Sequence, residues 1–276
     1  MKQKIGVITH FAREQDPREL FSEIAALGLN CCQLGVRAWM NSDAGLAEEI
    51  RSAADEFGVE ITAVWAGWSG PAEWNFTAGP ATLGLVPPAY RDSRMKEVLA
   101  GAEFGAKMGV SDVITHVGFM PENADDPNYN AVICALRYIA STLRSRGQYF
   151  LFETGQETPV VLLRAIEDIG TGNVGVNLDT ANLILYGKAN PVDALDVFGR
   201  YVRNTHCKDG FYPTDGKHLG REVAIGEGKV DFAGVVKGLK ALGYDGPWII
   251  EREISGEQQK KDILRARDYL ASLLDD

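Results

Sequence analysis

The chain has 276 residues, of which 45% are hydrophobic and 24% charged, with a formal net charge of −10. This balance is typical of a globular protein with a sizeable apolar core, and the length allows one domain or two. The acidic excess, without a marked cluster of lysines or arginines, argues against tight binding to nucleic acid or to an anionic membrane.

No apolar run approaches the roughly 20 residues that a membrane-spanning helix requires. The N-terminal segment MKQKIGVITH has a strand-like pattern and lacks the features of a signal peptide. The four cysteines form no CxxC pair and no regular spacing, so neither a disulfide framework nor a thiolate zinc site is indicated. We therefore expect a cytoplasmic protein.

One unit recurs along the chain: an amphipathic helical stretch ends in glycine, and a β-rich run follows within a few residues. Glycine is favoured just after a helix because it adopts left-handed dihedrals without a Cβ clash. Several of the β-rich runs, such as DVIT and PWII, are nearly continuous apolar runs that do not alternate, which indicates a parallel sheet buried on both faces. The predicted strands are Lys4–His10, Cys31–Val36, Glu60–Trp68, Asp112–Gly118, Tyr149–Thr154, Val174–Thr180, Arg203–Lys208 and Trp248–Arg252.

The number and spacing of these strands predict the fold. Eight βα units in 276 residues average about 34 residues each, close to the usual size of a βαβ repeat. We therefore predict an α/β protein that forms a single (β/α)8 TIM barrel, residues 1–276. An open doubly wound sheet is the alternative, although no GxGxxG follows the first strand. The longest stretch without periodicity, residues 68–90, follows the third strand, and a loop of that length usually covers or shapes a site.

Four potential metal ligands stand at the ends of consecutive strands. In a TIM barrel the chemistry takes place at the C-terminal ends of the strands. The fifth to eighth predicted strands end in Glu153, Asp179, His206 and Glu251. Taken singly, each has an ordinary explanation in a helix start, a turn or a core histidine. Together, three carboxylates at one rim repel one another unless a cation neutralises them, so the set predicts a divalent metal site.

The ligand types indicate which ion is expected. Three carboxylates and one imidazole form a hard set dominated by oxygen, which favours Mn²⁺, with Mg²⁺, Co²⁺ or Zn²⁺ as alternatives. A purely structural zinc site would be closed and rich in cysteine. Four protein ligands leave room on the ion for a substrate to chelate.

Five motifs, FETGQE, VNLDTANL, NTHCKDG, GEGKVDF and IIERE, follow one another along the chain. With them the sequence resembles the xylose-isomerase-like TIM-barrel superfamily, in particular its sugar (phosphate) isomerases and epimerases, over essentially its whole length. The resemblance implies that Glu153, Asp179, His206 and Glu251 bind one catalytic divalent metal ion. It also implies that the two glutamates act as acid and base.

The chain departs from the ketose 3-epimerases of this superfamily at two points. Asn182 stands where those enzymes carry a histidine, and the segment after the metal histidine lacks their arginine. Lys208 or Arg221 is a candidate to replace that arginine. Arg221 also lies in the glycine-rich segment HLGREVAIGEGKVDF, where a barrel often binds phosphate, although its glycines have an ordinary role in the turn.

Other strand ends carry candidates for contacts with a sugar. His10 and His116 end the first and fourth strands and are placed to hydrogen-bond hydroxyl groups. Trp65 and Trp68 end the third strand, and an indole packs against the apolar face of a sugar, although core packing is an equal explanation. Glu157 is either a hydroxyl contact or a carboxylate in the first turn of a helix.

These residues predict an isomerase or epimerase that acts on a sugar or a sugar phosphate. The metal would stabilise the enediolate that forms when a proton leaves the carbon beside a carbonyl. Glu153 and Glu251 would remove the proton and return it on the opposite face.

Two other enzyme classes remain open. A dehydratase of a keto-sugar or keto-inositol is the alternative, because it begins with the same proton abstraction. A phosphodiesterase related to endonucleases is less favoured, because it would need more ligands than a chain with four histidines offers. The expected partner is a small carbohydrate, without nucleic acid or membrane, and a homo-oligomer remains possible.

Overall fold

Eight parallel strands close into a barrel in the computed structural model of the protein, which describes residues 4–275. Two short antiparallel strands, β8 and β9, lie in the loop that follows β7. The barrel closes because β10 pairs with both β1 and β7, which confirms the predicted TIM barrel and excludes the open sheet. The strands are β1 (Ile5–His10), β2 (Cys31–Val36), β3 (Glu60–Ala66), β4 (Asp112–Thr115), β5 (Tyr149–Glu153), β6 (Val174–Asp179), β7 (Val202–Cys207), β8 (Asp209–Phe211), β9 (Arg221–Val223) and β10 (Trp248–Ile250).

The helices begin and end at residues suited to those positions. Asp16, Asp126 and Asn190 cap helices with their side chains, and a proline follows each cap, where its missing N–H is not needed. Gly58 and Gly170 end two others in the left-handed conformation. The helices are α1 (Pro17–Ala26), α2 (Leu46–Phe57), α3 (Gly79–Thr82), α4 (Pro88–Lys107), α5 (Pro127–Arg144), α6 (Pro159–Ile169), α7 (Asn182–Leu185), α8 (Pro191–Phe198), α9 (Phe232–Ala241) and α10 (Glu257–Asp275).

Several predicted strands extend past the observed ends by one to three residues. β3, for example, ends at Ala66 instead of Trp68, and β10 ends at Ile250 instead of Arg252. Each of these two strands makes one more backbone hydrogen bond, from Gly67 to Val36 and from Glu251 to Cys207, and the chain then turns into a loop. Among residues 4–275, no helix is both long enough and apolar enough to cross a membrane.

The barrel interior changes from apolar to polar towards the C-terminal ends of the strands. Ala63, Ile114 and Leu151 form a small apolar cluster separate from the main core between the barrel and the helices. Side chains at positions i and i+2 of a strand share a face. Because Leu151 and Glu153 are two residues apart, the glutamate points to the same interior side as the apolar cluster. The alternation therefore places a carboxylate directly above the apolar floor.

A buried arginine organises the long loop after β3. The guanidinium of Arg94, on α4, is fully buried and lies 4.0 Å from the ring centre of Trp68 and 4.7 Å from that of Tyr90. It donates hydrogen bonds of 2.6 to 3.0 Å to backbone carbonyls of the loop, those of Ser69, Pro71, Thr82 and Gly84. Four carbonyls that would otherwise lack a donor are satisfied by one side chain, so the loop is an ordered structure.

This loop crosses the mouth of the barrel. The amide of Phe76 donates to the carbonyl of Lys217 at 3.0 Å, and Asn75 forms a β-bridge with His218. The two segments follow β3 and β7, which stand four places apart in the closed order of eight strands and are therefore diametrically opposite. We call residues 67–78 the crossing loop. It divides the mouth into a half beside β4, β5 and β6 and a half beside β10, β1 and β2.

The role of Arg94 is tested by Arg94→Lys, which keeps the charge but offers one nitrogen in place of a planar fork. The free energy of unfolding is expected to fall by about 2–4 kcal/mol, because several buried carbonyls lose their donor. Urea denaturation measures the change. The matched control is Lys96→Ala on the same helix, whose side chain is 74% exposed and for which a change within about 0.5 kcal/mol is expected. Equal losses in the two variants would contradict this role.

Candidate functional site

The four predicted ligands meet at the C-terminal mouth of the barrel. Glu153 and Asp179 are the last residues of β5 and β6, His206 lies near the end of β7, and Glu251 follows β10. One ligand atom from each lies within 4.8 Å of the others. His206 Nδ1 is 2.8 Å from a Glu153 oxygen, 3.2 Å from one of Glu251 and 3.9 Å from one of Asp179. Three carboxylates therefore surround one ring nitrogen, while their role as metal ligands stays a prediction.

The oxygen atoms of this cluster fit a divalent cation. Within the described chain, Asp179 Oδ2 and Glu251 Oε2 are buried without a hydrogen-bond partner. Burial raises the pKa of Asp179 well above its usual range, and the neighbouring carboxylate of Glu251 adds to the effect. A cation among these oxygens would supply both the missing partner and the missing charge. A hard set of three carboxylates and one imidazole suits Mn²⁺ or Mg²⁺.

The two glutamates are stabilised in their ionised form. Burial raises the pKa of Glu153, but the nearby His116 and His206 outweigh it, so the pKa is lowered. Burial has the same effect on Glu251, where Lys208 and His206 hold the pKa well below its usual range. Both side chains are therefore carboxylates at neutral pH, which is the form that binds a metal or accepts a proton.

Two predicted sugar contacts lie directly beside Glu153. The indole nitrogen of Trp65 donates a hydrogen bond to Glu153 Oε2, and His116 Nε2 lies 3.3 Å from the same oxygen. The rings of Trp65 and His116 pack edge to face with centroids 6.0 Å apart. These contacts orient the carboxylate and leave both rings facing the cavity.

Gln33, which the sequence analysis did not identify, orients the histidine. Its Oε1 lies 2.5 Å from His206 Nε2, and its amide nitrogen donates to the side-chain oxygens of Asn177 and Asn204 at 3.0 and 2.7 Å. Because the nitrogen is engaged by two acceptors, the oxygen faces His206 and accepts its Nε2 proton. Burial lowers the pKa of His206, but Glu153 and Glu251 outweigh it and hold the pKa well above its usual range, so Nδ1 donates a hydrogen bond to Glu153 at 2.8 Å. Nδ1 is therefore the nitrogen that would exchange its proton for a metal. The sequence does contain a signal for this residue, because Gln33 is the one polar amide in the otherwise apolar strand CCQLGV.

Lys208 is a buried cation beside the cluster. Its Nζ lies 2.7 Å from Glu253, 3.3 Å from Glu251 and 3.7 Å from Asp179. Burial lowers its pKa, but the carboxylates outweigh this and hold the pKa well above its usual range. Asn182 accepts a longer hydrogen bond of 3.4 Å from the same nitrogen. The ammonium thus offsets part of the negative charge of the site.

A cavity of about 460 Å³ opens above the cluster. Four of the predicted substrate contacts line it, namely His10, Trp65, His116 and Asn182. Among the other lining residues, four with polar or aromatic side chains were missed by the sequence analysis, namely Arg37, Trp74, Tyr186 and Glu253. Arg37 could have been predicted from its position just after β2, but the end of this strand was not considered among the candidate sites. The others lie in loops whose path over the mouth is not encoded in any short motif.

Three other predicted contacts lie outside the cavity lining. Trp68 packs under the Arg94 guanidinium, and Glu157 is buried with Oε1 lacking a partner in the part of the chain described. Arg221 lies on β9, exposed, with its guanidinium 5.1 Å from the ring centre of Phe211. Substrate contacts for these three residues stay predictions.

The glycine-rich turn after β9 is already filled by a carboxylate. Asp209 is buried, and its two oxygens accept hydrogen bonds from the amides of Gly210, Gly226, Gly228 and Val230 at 2.8 to 3.0 Å. These amides are the donors that a phosphate would need. A Cβ at Gly228 would lie 2.1 Å from Asp209, so this glycine allows the close approach. The turn therefore lacks free amides for a phosphate.

The role of Gln33 predicts a loss of metal affinity in Gln33→Met, which preserves length but removes the amide acceptor. Mn²⁺ affinity is expected to fall about 10–100-fold, because His206 is no longer held in the required tautomer. Isothermal titration calorimetry with Mn²⁺ measures the affinity of both variants and of wild type. Gln148→Met is the matched control, since Gln148 is equally buried but bonds to the carbonyls of Ala102 and Val110. An equal loss of affinity in both variants would exclude a specific role.

Glu157 predicts a pH-dependent stability. Burial raises its pKa to about 8, so the folded state keeps the proton while the unfolded chain releases it above about pH 4.5. Stability contributed by this group is therefore lost as the pH rises from about 4.5 to about 8. The free energy of unfolding of Glu157→Gln, measured by urea denaturation, is expected to exceed that of wild type by about 2–4 kcal/mol at pH 8 and by much less at pH 5. A difference independent of pH would contradict the assignment.

Comparisons with known proteins agree with this geometry. Residues 21–273 match the family model described as xylose isomerase-like TIM barrel. A xylose isomerase domain protein from Planctomyces limnophilus has a solved structure with 33% identity and a TM-score of 0.90, covering 98% of this chain and 97% of that one. A protein of Methanocaldococcus jannaschii described as uncharacterized is 34% identical over 117 residues, which are 41% of this chain and only 37% of that protein.

More distant structures share the fold. The 3-keto-D-glucoside 4-epimerase of E. coli is 17% identical with a TM-score of 0.73, covering 98% of this chain and all of that one (100%). A xylose isomerase-like TIM barrel protein from Mycobacterium smegmatis, solved in complex with magnesium, is 16% identical with a TM-score of 0.73, covering 99% and 97%. The extent of the family match and the full-length relative lead to one conclusion: the chain belongs to the xylose isomerase-like TIM barrel family.

Proposed function

We propose that the protein is a divalent-metal-dependent isomerase or epimerase of a sugar or a sugar phosphate. The observation that carries the proposal is the meeting of three carboxylates around His206 Nδ1, two of them with buried oxygens that lack a partner in the described structure. The epimerase from E. coli and the magnesium complex from M. smegmatis, which share the fold, support this class of reaction and a metal.

Glu153, Asp179, His206 and Glu251 would hold the ion, which we propose to be Mn²⁺ or Mg²⁺. When bound, a divalent cation stabilises the negative charge that develops on substrate oxygens as a proton leaves the neighbouring carbon. Asp179 is suited to ligation alone, because Ala181 and Asn182 donate their amides to Oδ1 at 2.9 and 2.8 Å and leave Oδ2 free.

Glu153 and Glu251 would transfer the proton. Both are ionised at neutral pH, as a general base must be, and they reach the cavity from strands separated by β6 and β7. A substrate between them presents different faces to the two carboxylates. Removal by one and return by the other inverts a stereocentre, whereas return to the adjacent carbon interconverts an aldose and a ketose.

The cavity supplies groups for binding a sugar. Trp65 and Trp74 offer aromatic surface, and His10, His116 and Asn182 offer hydrogen bonds. The cavity, about 460 Å³, is within the range typical of small-molecule sites. The substrate is therefore proposed to be a single sugar unit with its reacting carbons at the glutamates.

A dehydratase of a keto-sugar or keto-inositol is the second candidate. It shares the proton abstraction and needs in addition a donor for the departing hydroxyl group. We propose His116 for this role, because it lines the cavity with its Nε2 3.3 Å from Glu153 Oε2.

Products formed in D₂O separate the candidates. Protein loaded with Mn²⁺ is incubated with ketoses, their phosphates and keto-inositols, and the products are followed by NMR. Deuterium at a carbon of inverted configuration, or at the neighbouring carbon of an aldose, supports the proposal, and loss of water supports the dehydratase. Absence of bound metal by elemental analysis, or of exchange with every compound, would refute it.

The roles of the two glutamates predict that Glu153→Gln and Glu251→Gln each reduce deuterium exchange by about 10²–10⁴-fold, because each removes a proton acceptor. Metal content measured on the same samples separates loss of the base from loss of the ion. Glu227→Gln is the control, since this glutamate is 53% exposed and pairs with Arg265 outside the cavity. Full activity in either active-site variant would contradict the assignment.

A further inference from the structure

Arg37 is a cation at the cavity with no acidic partner. It follows β2 and lines the cavity together with His10 from β1. Its guanidinium donates one hydrogen bond, from Nη1 to the carbonyl of Trp68 at 3.3 Å. Across residues 4–275, no carboxylate forms a salt bridge with it, although the chain carries 38 acidic residues against 28 lysines and arginines. An arginine left unpaired in such an acidic protein has its remaining donors free for a ligand.

Two glycines hold Arg37 and His10 in place. A Cβ at Gly67 would lie 1.8 Å from Arg37 Nη1, and a Cβ at Gly35 would lie 2.0 Å from His10 Nδ1. Each polar group therefore occupies the space that a side chain would take on the neighbouring strand or loop. Arg37 is exposed to solvent, but its guanidinium lies against Gly67, just after the end of β3.

The position of Arg37 sets which end of a substrate it meets. On the β4 to β6 side, Phe119 and, from the crossing loop, Phe76 pack against Tyr186 with ring centroids 5.8 and 6.4 Å apart. Tyr186 and Asn182 line the cavity from this half. Arg37 and His10 line it from the other half, so the two ends of a bound substrate would meet different groups.

A row of rings connects this side to the proposed metal centre. The indole of Trp65 donates a hydrogen bond to Glu153. The ring of His10 packs edge to face with this indole, with centroids 6.3 Å apart. A sugar whose reacting carbons lie at Glu153 would extend along Trp65 towards His10 and Arg37. Two acidic residues line the cavity on the same side, Glu251 and Glu253, and Lys208 lies 3.3 and 2.7 Å from them, so their charge is partly offset.

We propose that the substrate carries an acidic group, a carboxylate or a phosphate, at the end away from the metal centre, and that Arg37 with His10 binds it. The inference rests on the proposed function for the position of the reacting end. A guanidinium binds either anion through paired, charge-assisted hydrogen bonds. This site is separate from the glycine-rich turn after β9, where Asp209 accepts hydrogen bonds from the amides of Gly226 and Gly228.

Binding measurements test this independently of turnover. The full chain loaded with Mn²⁺ is titrated calorimetrically, at low ionic strength, with D-fructose, D-fructose 6-phosphate and D-fructuronate. At least one of the two acidic sugars is expected to bind about tenfold or more tightly than fructose, and which one does so distinguishes phosphate from carboxylate. Arg37→Gln is expected to abolish that preference while leaving the affinity for fructose within about twofold.

Arg13→Gln is the matched control. Arg13 is an exposed arginine on the loop after β1, packed over the Trp39 ring and absent from the cavity lining. Its removal changes the net charge equally and should preserve the preference. The proposal is overturned if neither acidic sugar binds more tightly than fructose, if Arg37→Gln weakens all three sugars alike, or if Arg13→Gln also abolishes the preference. A preference that depends on Arg37 without any exchange in D₂O would leave this site standing and refute the proposed reaction.

Discussion

Repulsion among buried carboxylates is the constraint around which the mouth of this barrel is arranged. Glu153, Asp179 and Glu251 all approach one nitrogen of His206, and three negative charges in so small a buried volume are strongly unfavourable without compensation. Lys208 provides one positive charge, 3.3 Å from Glu251 Oε2 and 3.7 Å from Asp179 Oδ2, but neither oxygen accepts a hydrogen bond within residues 4–275. A divalent cation would neutralise the remaining negative charge. The same three carboxylates therefore explain both the unfavourable electrostatics of the mouth and the proposed chemistry.

The polar groups below the cluster make that arrangement specific. Gln33, Asn177 and Asn204 form an amide network inside the barrel, directly between the apolar floor and His206. Buried amides are costly unless they are paired, and here the amide oxygens of Asn177 and Asn204 fix the orientation of Gln33. In this orientation the oxygen of Gln33 accepts the Nε2 proton of His206, and Nδ1 faces the three carboxylates.

The crossing loop shapes the mouth of the barrel. Arg94 ties the loop to α4 from below, and contacts with residues 217 and 218 tie it to the opposite rim. The cavity is lined from both halves, by Asn182 and Tyr186 on one side and by His10 and Arg37 on the other. The loop itself contributes Trp74 to the lining, so its packing helps to shape the cavity.

Much of this was determined by the sequence alone. Recurrent helix–glycine–strand units predicted the closed barrel, and the residues at four strand ends, Glu153, Asp179, His206 and Glu251, predicted a shared site, because strand ends in a parallel barrel meet at one rim. Gln33 and Arg37 were not predicted. Gln33 acts through contacts with residues more than 140 positions away. The role proposed for Arg37 follows from the absence of a carboxylate partner among the described residues. Local spacing encodes which side chains reach the rim, but only the three-dimensional packing decides which of them are paired, buried or left free.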